Sequence, residues 1–317
     1  MFEKLLLKEY GLHLNNEKKS AVGAGSDTWF LNCTEGKYVL KFPATSVINH
    51  PEAEPKLCAF LRKNGVPACD FLKNWMNSYI STDNTGRMFT LQKFMPGQTL
   101  EWNSASETIL LESAEMLGKI HFVLRYYPLL PEGIGTGFFS CMTPERALES
   151  YQHSYDTAVR LGEAKNANEL EWRIELMKRF PVWRFDLSKL TFRNTHGDYY
   201  ISQLLCENGH LSSVIDWTTA CVHPVIWEIV RSFVYGAPCC AEGKINTNLM
   251  ERYIAAYCRY GTLNDYDLEN LYKLYFYQIA VCDYYGQYYE SDADNRYIYL
   301  KPAQLATKLL ENMDKYV

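Results

Sequence analysis

His196-Gly197-Asp198-Tyr199-Tyr200-Ile201-Ser202-Gln203, followed by Val214-Ile215-Asp216-Trp217, is the stretch on which the reading of this chain turns. Asp198 and Gln203 stand five residues apart, and Asp216 comes 18 residues after Asp198. Between them, Leu204-Leu205-Cys206 and Ser213-Val214-Ile215 are short strand-like runs around Glu207-Asn208-Gly209-His210. A turn of that kind between two such runs predicts a hairpin over 201–217. Such a hairpin could fold the second carboxylate back beside the first. Taken alone, His-Gly-Asp suits a turn and Ile-Asp-Trp a strand end; their joint occurrence, order and spacing carry more weight than either.

Upstream of this stretch, the chain alternates strands and turns. Residues 28–42 read as two strands around Thr34-Glu35-Gly36-Lys37, preceded by the small-residue stretch Val22-Gly23-Ala24-Gly25-Ser26-Asp27. Residues 51–64 have helical spacing in Leu57, Phe60 and Leu61, opened by Pro51 and closed by Asn64-Gly65. Residues 71–95 read as strands broken at Thr82–Gly86 and stopped by Pro96-Gly97. The lobe boundary is placed there, giving an N-terminal lobe 1–96 and a C-terminal lobe 97–317. Beyond it the pattern is helical. Ser104 and Glu107 have capping-box spacing, Leu110, Ala114, Leu117 and His121 recur near the helical period, and Thr143-Pro144 suits a helix start. Residues from 245 onward read as helices separated by Gly261–Asn264 and Glu290–Asn295. The order predicts an α+β, two-lobed chain with a small β-rich lobe and a larger, mainly helical one.

Composition narrows the function classes. The 317 residues are 47% hydrophobic and 22% charged, so the chain buries a core without disulfides or a structural metal. Its 32 basic and 37 acidic residues give a net charge of −5, which carries no basic footprint for nucleic acid. No apolar run reaches the ~18 residues of a spanning helix, so no membrane partner is expected. The ten cysteines include no C-x-x-C pair, and the N-terminal residues lack a signal-peptide pattern. The expectation is a cytoplasmic protein with reduced thiols.

Two carboxylates and an amide oxygen in this order suit phosphoryl transfer. One carboxylate accepts or orients the proton of the attacking hydroxyl. The other, with a neutral oxygen ligand, holds Mg²⁺ against the phosphates. At this point the sequence resembles the aminoglycoside phosphotransferase / choline kinase family, which has a protein-kinase-like fold. The resemblance rests on His196-Gly197-Asp198 with Gln203 five residues after the Asp, and on Ile215-Asp216-Trp217. It covers roughly residues 20–235.

The resemblance implies an ATP-dependent kinase acting on a hydroxyl of a small molecule, with ATP and Mg²⁺ as cofactors. Asp198 would be the catalytic base, and Gln203 and Asp216 the metal ligands. Gly23, Gly25 and Ser26 would form the nucleotide loop. Lys41, on the strand Tyr38–Phe42, would contact the α- and β-phosphates, with Glu54 as its partner and Glu52 as the alternative. Lys93, Phe94 and Met95 would form the hinge that offers backbone groups to adenine. His121 and His196 read as packed, loop-bracing residues. Glu228 occupies the acidic place of the family's P-x-x-D-L segment, and reads as a first-turn helix acid favoured by the dipole.

Three departures from the family pattern keep a rival open. Gln203 replaces the common Asn, although its amide oxygen sits on a stem only one methylene longer. Thr28 stands where a third loop glycine is expected, and Glu228 where an Asp is. A nucleotide-binding pseudokinase or scaffold without turnover is therefore the alternative. A protein kinase ranks last, because Gly197 stands where H-R-D has Arg and no D-F-G segment is present. For the acceptor, Asp283-Tyr284-Tyr285-Gly286-Gln287-Tyr288-Tyr289-Glu290, with Asp292 and Asp294, has the aromatic faces and carboxylates that suit a cation such as choline, an amino sugar or an aminoglycoside. The same tract also reads as a Tyr-rich helix packed on its neighbour.

Overall fold

Alternation along three strands builds the first half of the fold. The structure is a computed structural model and describes residues 2–20, 27–43, 50–131, 143–181, 183–292 and 296–317. The expected nucleotide-loop residues Gly23, Gly25 and Ser26, and Asp294 of the acidic tract, lie outside the described residues. The chain packs as two units, Met1–Thr99 with Gln203–Ala220, and Leu100–Ser202 with Cys221–Val317. A division at 96/97 assigns the hairpin to the second lobe, whereas its packing is with the first. The reason is backbone pairing: Gln98 and Cys206 exchange N–H···O bonds of 3.0 and 2.9 Å, and the Val214 N–H donates to the Pro67 carbonyl at 2.9 Å.

The first unit holds α1 (Glu3–Tyr10), β1 (Leu14–Lys19), β2 (Asp27–Cys33), β3 (Gly36–Phe42), α2 (Ala53–Lys63), β4 (Ile80–Thr82) and β5 (Met88–Lys93). The five strands form one antiparallel sheet in the order β1-β2-β3-β5-β4. Because side chains alternate across a strand, Leu31, Cys33, Tyr38, Leu40, Phe42, Phe89 and Leu91 share one face and bury it against Phe2, Leu6 and Leu12. The opposite face carries the cross-strand rows Thr28–Lys41–Thr90 and Phe30–Val39–Gln92. Lys41 is thus on the central strand and not an edge charge. α1 and β1 were not anticipated: Leu14–Lys19 has an almost wholly polar sequence and no buried residue.

The hairpin strands Leu204–Glu207 and His210–Val214 pair as expected around Asn208-Gly209, whose φ values of 53° and 82° are those of a tight two-residue turn.

The second unit is mainly helical: α3 (Glu107–Leu124), α4 (Pro144–Leu161), α5 (Ala164–Lys178), α6 (Val225–Gly236), α7 (Thr247–Tyr257), α8 (Asp265–Val281), α9 (Tyr284–Glu290) and α10 (Tyr297–Leu310). Thr143 caps α4 as expected, accepting from the Arg146 N–H. The α3 cap is corrected from Ser104 to Ser106, which accepts from the Ile109 N–H. Ser104 is unable to serve because its hydroxyl donates to the Glu101 carbonyl one turn before the helix. A short ladder missed in the sequence pairs Phe192–Thr195 with Cys221–Pro224. Cys221–Pro224 is buried at every position, so it shows no alternation.

Within this unit the buried Arg173 guanidinium donates to Thr307, Tyr151, and the carbonyls of Ile279 and Ala303, joining α4, α5, α8 and α10. The Tyr-rich α9 packs on the same framework. Tyr285 donates to Glu169 at 2.5 Å and Tyr289 to Glu163 at 3.0 Å, while Asp283 caps the Gly286 N–H. No helix among the described residues is long and apolar enough to cross a membrane.

α3 and α7 approach closely at Gly118, where a Cβ would stand 2.1 Å from the Tyr257 carbonyl oxygen. Backbone cannot yield as a flexible side chain can. Gly118→Ala is expected to lose about 1–3 kcal/mol to overpacking, more than the ~1 kcal/mol that alanine's helix propensity returns. Thermal denaturation should show a melting temperature lowered by several degrees; an unchanged or raised value would contradict this packing.

Candidate active site

The polar face of the sheet lines a cleft in the first unit. Its volume is about 630 Å³, within the usual range for small-molecule sites. Thr28, Phe30, Val39, Lys41 and Gln92 come from the sheet, Lys93–Met95 from the chain leaving β5, and Gln203, Leu205, Ile215 and Asp216 from the hairpin. Most of the expected site residues of this unit therefore meet in one place, although Lys41 and Asp216 are 175 positions apart.

Lys41 Nζ donates to Asp216 Oδ1 at 2.8 Å, and its side chain is 13% exposed. Burial lowers the pKa of an ammonium, but Glu54 and then Asp216 outweigh it, so Lys41 is held above its ordinary value and stays charged. Glu54 accepts from the Trp217 N–H at 3.1 Å. Burial raises its pKa, with Lys41 opposing the shift. The ion pair thus runs from Lys41 to Asp216, with Glu54 contributing charge at longer range. The alternative acid, Glu52, is spent elsewhere, on Lys56 at 2.6 Å and the Ser78 hydroxyl.

Asp216 itself has φ 59° and ψ 69°, a left-handed conformation that costs a non-glycine residue roughly 1–3 kcal/mol. The hairpin and the Lys41 pair hold it there, and the Thr218 hydroxyl donates to the same Oδ1 at 2.8 Å. Its side chain is still 42% exposed. Gln203 is fixed beside it, because the Ile215 N–H donates to the Gln203 carbonyl at 2.9 Å.

These two residues fit a divalent cation by donor chemistry. A carboxylate and an amide oxygen on the wall of one cleft are hard ligands of the kind Mg²⁺ prefers. No cluster of three or more His, Cys, Asp or Glu that could hold a metal occurs among the described residues.

Where the chain leaves β5, the Lys93 N–H donates to the Asp70 carbonyl and the Phe94 N–H to the Lys37 carbonyl, both at 2.9 Å. The Met95 N–H has no backbone partner among the described residues. The Lys93 ammonium pairs with Asp70 at 3.0 Å, so that residue contributes backbone and not charge to the cleft.

Asp198 lies in the second unit, in the loop after Phe192–Thr195. Gly197 at φ 80° allows the turn. The loop is tied from beneath by Glu228, which is fully buried in the first turn of α6. Its carboxylate accepts the N–H groups of Gly197 at 2.7 Å and of His196 and Tyr199 at 3.4 Å, and faces His121 Nε2 at 2.9 Å. Burial alone would raise the Glu228 pKa; the His121 hydrogen bond and neighbouring histidines reverse this and hold it below the usual carboxylate range. Glu228 therefore acts on the loop backbone, a larger role than a first-turn acid on the helix dipole. His196 braces the loop, its Nδ1 accepting from the Asp198 N–H at 3.3 Å, and His121 is packed against Tyr257.

Sequence reasoning missed Arg231. Its Nη2 donates to Asp198 Oδ1 at 2.6 Å. The signal was available: Arg231 stands three residues after Glu228, on the same helical face.

Among solved structures, spectinomycin phosphotransferase in complex with ADP and spectinomycin is similar at 12% identity and a TM-score of 0.66, covering 99% of this chain and 98% of that one. An amicoumacin kinase bound to AMP-PNP and Ca²⁺ gives 14%, 0.65, and 99% and 92%. A macrolide 2'-phosphotransferase from Brachybacterium faecium gives 16%, 0.57, and 96% and 97%. No curated protein sequence is significantly similar to the chain. These likenesses establish the two-lobed, protein-kinase-like α+β fold. The sequence matches the family described as APH, phosphotransferase enzyme family, over residues 18–271, well beyond half its length, and the chain belongs to that family.

Proposed function

We propose that this phosphotransferase moves the γ-phosphoryl group of ATP, with Mg²⁺, onto a hydroxyl of a small molecule. The observation that carries the reading is the Lys41–Asp216 pair in the same cleft as the hinge and Gln203. Residues 1–96 with the hairpin would serve the nucleotide, and the remainder the acceptor.

Each residue has a role set by its surroundings. The Met95 N–H, unused in the sheet, would donate to adenine. Phe30, Val39 and Leu205 supply apolar walls for a flat ring. Lys41, kept charged by two acids, would bind phosphate oxygens. Gly23, Gly25 and Ser26 would cover them with backbone N–H groups. Asp216 and Gln203 would hold the cation, which when bound neutralises the phosphates and bridges their oxygens. Asp198, oriented by Arg231 and by the Glu228-tethered loop, would accept or orient the proton of the acceptor hydroxyl. Positioning and fixed charge would supply most of the rate. The presence of Lys41, Asp198 and Asp216 together favours turnover over a binding-only scaffold.

ATP consumption across a panel of hydroxylated amines, sugars and antibiotics is the primary test. With an acceptor in hand, Asp198→Ala is expected to lower phosphate transfer about 10²–10⁴-fold while Mg²⁺-ATP affinity stays within about twofold. Retained turnover would remove Asp198 from the catalytic role. Asp216→Ala is expected to abolish Mg²⁺-dependent ATP binding in calorimetry; unchanged affinity would refute its place as a ligand.

A further inference from the structure

Three buried polar atoms at four-residue spacing in the second unit have no hydrogen-bond partner among the described residues: His223 Nδ1, Trp227 Nε1 and Arg231 Nη1. The first belongs to the strand leading into α6 and the other two to α6 itself, at spacing of four. His223 is 3% exposed and Trp227 7%. Their rings stack with centroids 4.3 Å apart and planes at 23°. The Arg231 guanidinium lies 5.4 Å from the Trp227 ring, so the three form one continuous row. Leaving a buried donor unpaired costs roughly 1–3 kcal/mol, and native proteins hold few such groups. A run of three, ending on the partner of Asp198, calls for a ligand.

From this row we infer, resting on the phosphotransferase reading above, that the acceptor is an oxygen-rich molecule, uncharged or anionic, and not a cationic amine. Indole N–H and guanidinium groups only donate, so what they bind must present acceptor oxygens such as hydroxyl, carboxylate or phosphate. Burial lowers the His223 pKa to about 4, so its ring is neutral near pH 7 and can donate or accept.

Charge points the same way. The rings of Tyr200, Tyr235 and Trp227 surround the Arg231 guanidinium at 4.7, 4.8 and 5.4 Å. The cation that such a cage would hold is therefore already supplied by the protein. Asp198 is paired with that same guanidinium, so an incoming ammonium would meet fixed positive charge beside a neutralised carboxylate. In the tract that suggested a cation, Asp283–Glu290, Tyr285 and Tyr289 bond to Glu169 and Glu163 and Asp283 caps α9, while Tyr284 bonds Tyr235 in the cage that Arg231 already fills.

Calorimetric titration of the full chain, with ADP and Mg²⁺ present, tests the inference against two probe sets. One set holds neutral sugars, sugar acids and hydroxy acids; the other holds choline, amino sugars and aminoglycosides. The tightest binder should come from the first set. Trp227→Phe, which keeps the ring stack and removes only the N–H, should weaken it about tenfold, with Mg²⁺-ATP affinity unchanged. Arg231→Lys should weaken it by at least as much. The inference is overturned if the tightest binder is an amine, if nothing in the first set binds, or if both variants bind that ligand as the wild type does. A bound compound that is never phosphorylated would instead refute the transferase reading and leave this inference standing.

Discussion

A lysine on the central strand of a sheet can stay charged only if acids are brought to it. Lys41 is nearly buried, and an unpaired ammonium there would be costly. Two segments remote in sequence answer that demand. α2 brings Glu54, and the hairpin brings Asp216 on a strained left-handed backbone. Trp217 closes the set by donating its N–H to Glu54, so the charge of one strand fixes the arrangement of α2 and the hairpin together. This constraint explains why the hairpin belongs with the strands in packing while following Leu100–Ser202 of the second unit in sequence.

The second unit solves a similar problem with the opposite charge. Glu228 is fully buried, yet the His121 hydrogen bond and neighbouring histidines outweigh burial and hold its carboxyl below the usual range, while three backbone N–H groups donate to it. One carboxylate thereby sets the backbone course of residues 196–199. Three residues along the same helix, Arg231 takes hold of the Asp198 side chain. Helix α6 thus fixes both the main chain and the side chain of the loop, and its next face carries the unpartnered row with Trp227.

Much of this was legible in the sequence because it is local. The strand-like runs in 28–42 and 71–95, with the turns between them and the stop at Pro96-Gly97, mark the sheet. Asn208-Gly209 gives the hairpin turn, and His196–Asp198 with Ile215–Trp217 gives the chemistry. What stayed hidden depends on long-range pairing. Whether Lys41 bonds Glu54 or Asp216 is decided by where the hairpin packs, and no spacing encodes that. The weight carried by Glu228 appears only when three N–H groups converge on it. Leu14–Lys19 and Phe192–Thr195 escaped notice because one is almost wholly polar and the other is short and partners a strand buried at every position. Ser104 was preferred to Ser106 because a capping-box spacing says nothing about where a hydroxyl is already engaged.

The account rests on Asp216 and Gln203 forming the oxygen side of a cation site in the cleft that Lys41 lines. Diffraction from crystals grown with AMP-PNP and Mn²⁺, recorded at the manganese edge, reads this directly. An anomalous peak bonded to the Asp216 carboxylate and the Gln203 amide oxygen is the predicted result. A manganese ion bound to the nucleotide but to neither residue would contradict it.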